Sequence, residues 1–143
     1  MAIERSGSAV WSGGFKDGSG TVSTQTGAVD ALPYSVSGRF EDGPGTNPEE
    51  LLGAAHASCY AMATSLLLGN AGMNPEKLAA TSVVTLAPDG DGFSIPKIAV
   101  TLTAHVPGAE EAKVLEVAEA AKGGCPVSKL FDAEITLDAT ITV

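Results

Sequence analysis

Apolar and polar residues alternate with a period of two over several stretches of this chain, a pattern typical of β-strands with one buried face. The clearest stretch covers residues 93–106 and follows a turn sequence, Asp89 to Gly92. Its apolar positions are Ile98, Val100, Leu102, Ala104 and Val106. The same alternation predicts further strands over residues 8–15, 20–25, 33–40, 81–88 and 135–143.

A long helix is predicted after the third strand, over residues 45–69. Asn47 or Thr46 is suited to cap it, and Pro48 suits its first position, where the missing N–H is not required. No charged residue occurs from 51 to 75, and apolar or small residues cover nearly every side of this helix. The pattern therefore predicts a buried helix rather than a surface helix.

Two further helices are predicted near the C-terminus. The first covers residues 109–122, and Gly123 and Gly124 are expected to end it. Cys125 would then cap a short helix that reaches about Phe131. The inward face of the first helix consists of Ala112, Leu115 and Ala118, or of Val114, Val117 and Ala121. This order of elements predicts a single α+β domain over residues 1–143, with an antiparallel sheet and the helices on one face.

The length of the long helix has a consequence for assembly. A helix of roughly 22 residues is about 33 Å long, whereas a domain of this size has a radius of gyration of about 14–15 Å. One sheet covers only one side of such a helix, so its other side needs a different cover. We therefore expect a homodimer in which two long helices share a core.

Composition and charge narrow the functional classes. The net charge of −9 argues against binding to nucleic acid or to an anionic membrane. A membrane span over the uncharged stretch is not favoured either, because the stretch contains polar residues and has acidic flanks. The N-terminus has no apolar run like that of a signal peptide, which predicts a cytoplasmic protein with reduced cysteines.

The two cysteines, Cys59 and Cys125, are the first candidates for chemistry. They lie 66 residues apart and form no Cys-x-x-Cys motif, so neither a thioredoxin motif nor a zinc knuckle is present. Each could be a small buried apolar residue. The alternative is a redox pair, in which a nearby cation keeps Cys59 ionised and Cys125 closes a disulfide.

Arg39 and Glu49 are the candidates for activating Cys59. The chain has only two arginines, and Arg39 lies on a predicted strand just before the long helix, whereas Arg5 lies at the terminus. Glu49 can hold the guanidinium of Arg39, although a glutamate in a first helical turn is also explained by the helix dipole. Glu49 and Cys59 are about 15 Å apart along one helix, so a shared site would take Glu49 from the other subunit.

His56 and the remaining polar residues leave further alternatives open. His56 lies three residues before Cys59, so a Cys–His hydrolase is conceivable, but a hydrogen-bonded structural histidine is favoured. A metal site formed by four Cys and His residues fits no standard spacing. A non-enzymatic protein that binds a small ligand in an apolar groove is the other alternative. The four residues of the metal alternative are His56, Cys59, His105 and Cys125.

Three segments resemble the OsmC/Ohr family, which comprises osmotically inducible protein C and the organic hydroperoxide resistance proteins. They are residues 39–59, 122–128 and 133–138, and the likeness extends over essentially the whole chain. The first segment, which includes Glu-Glu-Leu-Leu-Gly-Ala-Ala-His-Ala, is similar to the OsmC branch rather than to the Ohr branch.

The resemblance implies a cysteine-based peroxidase that acts on organic hydroperoxides and, less efficiently, on hydrogen peroxide. By the family pattern, Cys59 is the peroxidatic thiol, Cys125 is the resolving thiol, and Arg39 and Glu49 activate Cys59. No bound metal or organic cofactor is implied, and the implied reductant is an external dithiol, with the lipoyl type as the candidate. The implied fold is an intertwined α+β homodimer with antiparallel sheets around a long central helix, and the implied role is stress defence.

Overall fold

The computed structural model describes all 143 residues. The chain falls into two compact units, Met1–Leu51 and Leu52–Val143. Both strands and helices are present, and the strands form two three-stranded sheets. The predicted α+β class is therefore confirmed.

The first unit contains an antiparallel sheet of three strands, β1 (Gly7–Ser12), β2 (Ser19–Thr24) and β3 (Leu32–Tyr34). The predicted pairing of the first two strands is confirmed, since Gly7 lies opposite Thr24 and Ser12 opposite Ser19. A short helix, α1 (Val36–Phe40), follows the third strand.

The predicted strand over 33–40 is wrong beyond Tyr34, and Arg39 therefore lies on α1 rather than on a strand. The Ser35 hydroxyl accepts a hydrogen bond from the Gly38 N–H at 3.1 Å and caps this short helix. Alternation over so few residues does not distinguish a strand from a helical turn, whereas a capping serine favours the turn.

The long helix, α2, covers Pro48–Asn70, close to the predicted range. Asn47 caps it, because its side-chain oxygen accepts a hydrogen bond from the Glu50 N–H at 2.8 Å. Judged by length and composition alone, α2 is long and apolar enough to cross a membrane. The core helix of a soluble protein meets the same two criteria.

Only one face of α2 is buried, contrary to the prediction of a helix buried on nearly every side. On another face the side chains of Met62 and Leu66 are 69% and 64% exposed. This apolar surface is the part of α2 that the dimer predicted from helix length would cover. The buried residues are Gly53, His56, Tyr60, Thr64 and Leu68.

The second unit contains a sheet in the order β4-β5-β6. Its strands are β4 (Lys77–Asp89), β5 (Gly92–His105) and β6 (Glu134–Thr142). The first pair is antiparallel, as predicted, and its turn has Gly90 in the left-handed region at a φ of 58°. All five apolar positions predicted to face the core from β5 and its end are buried: Ile98, Val100, Leu102, Ala104 and Val106.

The pairing of β5 with β6 is parallel, which corrects the prediction of a purely antiparallel arrangement. Two helices, α3 (Glu111–Gly124) and α4 (Pro126–Leu130), separate these strands in the sequence. Parallel neighbouring strands begin at the same end of a sheet. A connection of this length allows the chain to return to the end at which β5 begins before β6 starts.

Helix α3 buries Val114, Ala118 and Ala121. Two of these, Val114 and Ala121, belong to the second of the two inward faces predicted from the sequence. The helix does not end before the two glycines as predicted, because the Cys125 N–H still donates to the Ala121 carbonyl at 3.0 Å. Pro126, which has no N–H, then begins α4. Cys125 thus separates two helices directly.

The close packing of α2 on β4 gives a stability prediction. A side chain at Gly53 would place its Cβ 2.7 Å from the Ser82 carbonyl oxygen, whereas a Cβ at Gly69 would meet nothing within 4 Å. We expect Gly53→Ala to lower the free energy of unfolding by about 1–3 kcal/mol through this clash. Gly69→Ala, the matched control in the same helix, should raise it by about 0.5 kcal/mol. Urea denaturation of both variants tests this, and equal effects would contradict the packing.

Candidate active site

The two cysteines meet in the second unit. Their sulfur atoms are 2.7 Å apart, and both are free thiols. Cys59 lies half-buried on α2, and Cys125 lies fully buried at the N-cap of α4. Since the S–S bond of a disulfide is about 2.0 Å long, the two sulfur atoms need to move little to form one.

The two thiols have different acidities. Burial and the hydrogen bond with Cys125 raise the pKa of Cys59. Burial also acts to raise the pKa of Cys125, but hydrogen bonds with Cys59, Ser128 and Val127 outweigh it and lower that pKa. Within one protomer, therefore, the environment of Cys59 favours the neutral thiol, which is the less reactive form.

A cavity of about 470 Å³ opens beside Cys59. It is an apolar space that exposes the thiol to a ligand with a hydrocarbon part. Its lining consists of Cys59, Met62, Ala63, Leu66, Leu67, Gly124 and Pro126.

Arg39 and Glu49 form a close ion pair in the first unit. The Arg39 Nη2 lies 2.7 Å from the Glu49 Oε1, and the Arg39 Nε lies 3.1 and 3.2 Å from the two carboxylate oxygens. Two parallel N–H donors on one carboxylate fix the plane of the guanidinium. The pairing expected from the sequence is present, whereas the action of this pair on Cys59 stays a prediction.

Aromatic side chains and Arg39 line one cavity in the first unit. The Arg39 Cζ lies 5.4 Å from the centre of the Phe40 ring, and the Trp11 and Tyr34 rings are 5.4 Å apart. Together with Phe15 they line a cavity of about 290 Å³. The first unit thus presents an apolar space with one positive group at its wall.

His56 is a fully buried residue whose two ring nitrogens both have hydroxyl partners. Nδ1 lies 2.8 Å from the Ser82 Oγ and Nε2 lies 2.8 Å from the Ser128 Oγ. The Phe131 ring packs edge-on against the imidazole at 5.5 Å. The predicted buried, hydrogen-bonded histidine is confirmed. Sequence reasoning did not identify either serine, although Ser128 lies only three positions after Cys125.

The hydrolase and metal-site alternatives find no support in this arrangement. Both His56 nitrogens have serine hydroxyls as partners rather than the Cys59 thiol, so the Cys–His pair of the predicted hydrolase alternative is not formed. His105 forms an exposed pair with Glu76 at 3.2 Å, and no group of three or more His, Cys, Asp or Glu side chains could hold a metal ion.

The sequence also predicts that Phe40, Tyr60, Met62 and Phe131 form an apolar pocket at the Cys59 thiol, but Tyr60 and Phe131 belong to the core instead. The Tyr60 hydroxyl donates to the Ala118 carbonyl at 3.1 Å, and burial raises the pKa of Tyr60 to about 12. Phe131 packs on His56. Of the four residues predicted for this pocket, Met62 lines the cavity at Cys59, and Phe40 lines the cavity at Arg39.

Burial of His56 predicts a pH dependence of stability. Burial lowers its pKa below the ordinary value of 6.5, so the unfolded chain binds this proton more readily than the folded one. The free energy of unfolding should therefore fall as the pH drops from about 7 to 5. The change in the free energy of unfolding with pH should be smaller in His56→Gln. Urea denaturation across this pH range measures the slope, and an unchanged slope in the variant would refute the assignment.

Comparisons with known proteins identify a family to which this sequence is similar. The sequence model of the OsmC-like protein family matches residues 41–140. Peroxiredoxin OsmC of Escherichia coli strain K12 is 48% identical over 138 residues, covering 96% of both chains. An organic hydroperoxide resistance protein-like protein of Staphylococcus aureus strain MSSA476 is 35% identical over 147 residues, covering 100% of this chain and 99% of its own.

A solved structure agrees with these relatives. The crystal structure described as an organic hydroperoxide resistance protein OsmC from Legionella pneumophila has a TM-score of 0.71 and 26% identity. The match covers 100% of both chains. The α+β chain fold expected from the family resemblance is thereby confirmed, whereas the intertwined homodimer stays a prediction.

Proposed function

Because the chain belongs to the family of OsmC-like proteins, we propose that it is a thiol peroxidase that reduces organic hydroperoxides to alcohol and water. The observation that carries this proposal is the 2.7 Å separation of the Cys59 and Cys125 sulfur atoms. The names of the relatives, a peroxiredoxin and an organic hydroperoxide resistance protein-like protein, support the same activity.

The first step uses Cys59 as the nucleophile. Its thiolate attacks the terminal oxygen of the hydroperoxide, an S–O bond forms and the O–O bond breaks. The departing alkoxide takes up a proton and leaves as the alcohol. Cys59 is then a sulfenic acid, and the peroxide has been reduced by two electrons.

The second step uses Cys125 as the resolving thiol. Its sulfur attacks the Cys59 sulfenic acid, the S–O bond breaks and water leaves. An external dithiol, for which we propose the lipoyl type, then reduces the Cys59–Cys125 disulfide through a mixed disulfide. Since sulfur transfers all the electrons, the cycle uses no bound metal or organic cofactor.

A cation must keep Cys59 ionised at neutral pH, because burial and Cys125 raise its pKa. We infer that the partner subunit's Arg39, held by the partner subunit's Glu49, supplies this charge in a homodimer. The ion pair of Arg39 with Glu49 supports a guanidinium fixed for that task. The exposed apolar side chains of Met62 and Leu66 support a surface that a second copy covers.

The preferred substrates follow from the surroundings of Cys59 and of Arg39. The cavity beside Cys59 and the cavity beside Arg39 have mainly apolar linings. A hydroperoxide with an alkyl or aryl part gains binding energy from such walls, whereas hydrogen peroxide does not. In the cell we propose a cytoplasmic role in defence against oxidative and osmotic stress.

A turnover assay tests the proposed function. Purified protein is mixed with a lipoyl dithiol and either cumene hydroperoxide or hydrogen peroxide, and loss of peroxide is followed. We expect faster turnover of cumene hydroperoxide than of hydrogen peroxide. Absence of turnover with both peroxides would favour a ligand-binding protein, and ester hydrolysis insensitive to peroxide would favour a hydrolase.

A further inference from the structure

A chain of hydrogen-bonded polar side chains, of which two are buried, connects β4 to the helix that follows Cys125. Ser82 on β4 contacts His56, and His56 contacts Ser128 on α4, each at 2.8 Å. His56 is fully buried and Ser128 is 6% exposed. None of these groups has a part in the peroxide chemistry described above. Burying the two linked polar groups His56 and Ser128 is costly unless each is satisfied, so their arrangement calls for an explanation.

Ser128 lies beside the resolving thiol. Cys125 is the N-cap of α4 and Ser128 is the third residue of that helix, and residues three apart are neighbours on one side of a helix. Burial alone would raise the pKa of Cys125. Hydrogen bonds with Cys59, Ser128 and Val127 outweigh burial and lower that pKa.

His56 determines what the Ser128 hydroxyl can do. Because burial lowers the pKa of His56, the imidazole is neutral near pH 7 and has one donor nitrogen and one acceptor nitrogen. When Nε2 donates to the Ser128 oxygen, the Ser128 O–H is free to donate to the Cys125 sulfur. Nδ1 then accepts from the Ser82 hydroxyl, so all three groups are satisfied at once.

We propose that Ser128 is a catalytic residue of the resolving step and that His56 is its positioning residue. The inference rests on the proposed peroxidase function and assigns two further residues to it. The Ser128 hydroxyl donates a hydrogen bond to Cys125 as this residue gives up its proton. The Cys125 thiolate attacks the Cys59 sulfenic sulfur, the S–S bond forms and the S–O bond breaks. The departing hydroxide takes up the proton that Cys125 released and leaves as water.

A single-turnover experiment separates the two steps. Reduced protein is mixed rapidly with one equivalent of cumene hydroperoxide, and samples are quenched in dimedone, which labels the sulfenic acid. Mass spectrometry then gives the rates of sulfenic acid formation and of disulfide formation. In Ser128→Ala we expect disulfide formation to slow about tenfold or more, the effect of losing a hydrogen bond to a charged group. Sulfenic acid formation should keep its normal rate.

The pH profile of disulfide formation is the readout that a purely structural role would not change. Without the Ser128 hydroxyl, the midpoint of this profile should move to higher pH, because the Cys125 thiolate has lost a donor. His56→Asn should move it in the same direction. Ser128→Thr, which keeps the hydroxyl, should restore the profile of the natural chain.

Thr64→Val is the matched control. The Thr64 hydroxyl is also fully buried, but it donates to the Tyr60 carbonyl at 2.8 Å, away from both thiols. This variant should resolve the sulfenic acid at the normal rate. Equal rates of disulfide formation in Ser128→Ala and Thr64→Val would overturn the inference and leave the peroxidase intact. If the natural chain formed no sulfenic acid at all, the proposed function itself would fall, and this inference with it.

Discussion

Replacing Cys59 by serine is expected to abolish hydroperoxide reduction, with a loss of about a thousandfold or more in turnover. The proposed reaction begins with attack by the Cys59 sulfur, and a serine hydroxyl in an apolar cavity is not ionised at neutral pH. The measurement is peroxide consumption with a dithiol present. Full activity in Cys59→Ser would refute the assignment of the nucleophile.

Cys125→Ser is the companion variant, because it keeps the nucleophile and removes only the resolving thiol. It should react once with peroxide and then accumulate oxidised Cys59. Excess peroxide should carry this residue on to sulfinic or sulfonic acid, which mass spectrometry detects. Cys59→Ser should fail to react with peroxide, whereas Cys125→Ser should react and become overoxidised. This difference would distinguish a nucleophile from its resolving partner, since the loss of either of two structural cysteines would give similar defects.

Replacing Arg39 by alanine is expected to lower turnover by about 100- to 1,000-fold, the usual cost of removing one donor that stabilises developing charge. The same change should raise the pKa of Cys59, because the cation that favours its thiolate is lost. Arg5→Ala is the matched control: it removes the same charge from the exposed N-terminus and should leave turnover unchanged. Equal activity of both variants would contradict the role of Arg39.

A mixed dimer tests whether Arg39 acts across the interface. One subunit has Cys59→Ser and the other has Arg39→Ala, and the two are co-expressed with different tags and purified together. If Arg39 acts on the partner's Cys59, one of the two sites is intact, and the mixed dimer should show about half of the normal activity. Activity no higher than that of the Arg39→Ala homodimer would mean that each subunit uses its own arginine.

The strands with a long, regular alternation could be predicted from the sequence. Four alternating apolar positions of β5, Ile98, Val100, Leu102 and Ala104, lie in the core, because a period of two sustained over a long stretch has only one way to bury its apolar face. Helix α1 was missed, since its short alternation also fits a capped helical turn. The parallel pairing of β6 was missed for another reason: strand direction depends on the route of the connection, which apolar patterning does not specify.

The candidate site was predictable only in part. The pairing of Arg39 with Glu49 followed from chemical complementarity and from their positions around one helix start. The approach of Cys59 and Cys125 did not follow from a spacing of 66 residues: the residues alone left a redox pair as one of two alternatives, and the family resemblance favoured it. Ser128 was overlooked because a serine shortly after a Cys-Pro pair has no sequence signature of its own. The role proposed for it depends on its hydrogen bond with His56, which lies 72 residues away in the sequence.

The most direct test of the proposed function is mass spectrometry of the reduced protein after treatment with one equivalent of cumene hydroperoxide. The sample is alkylated, digested without reductant and searched for a peptide pair linked between Cys59 and Cys125. The account predicts this linked pair, formed in proportion to the peroxide added and removed by a dithiol. Two fully alkylated cysteines beside unconsumed peroxide would contradict it.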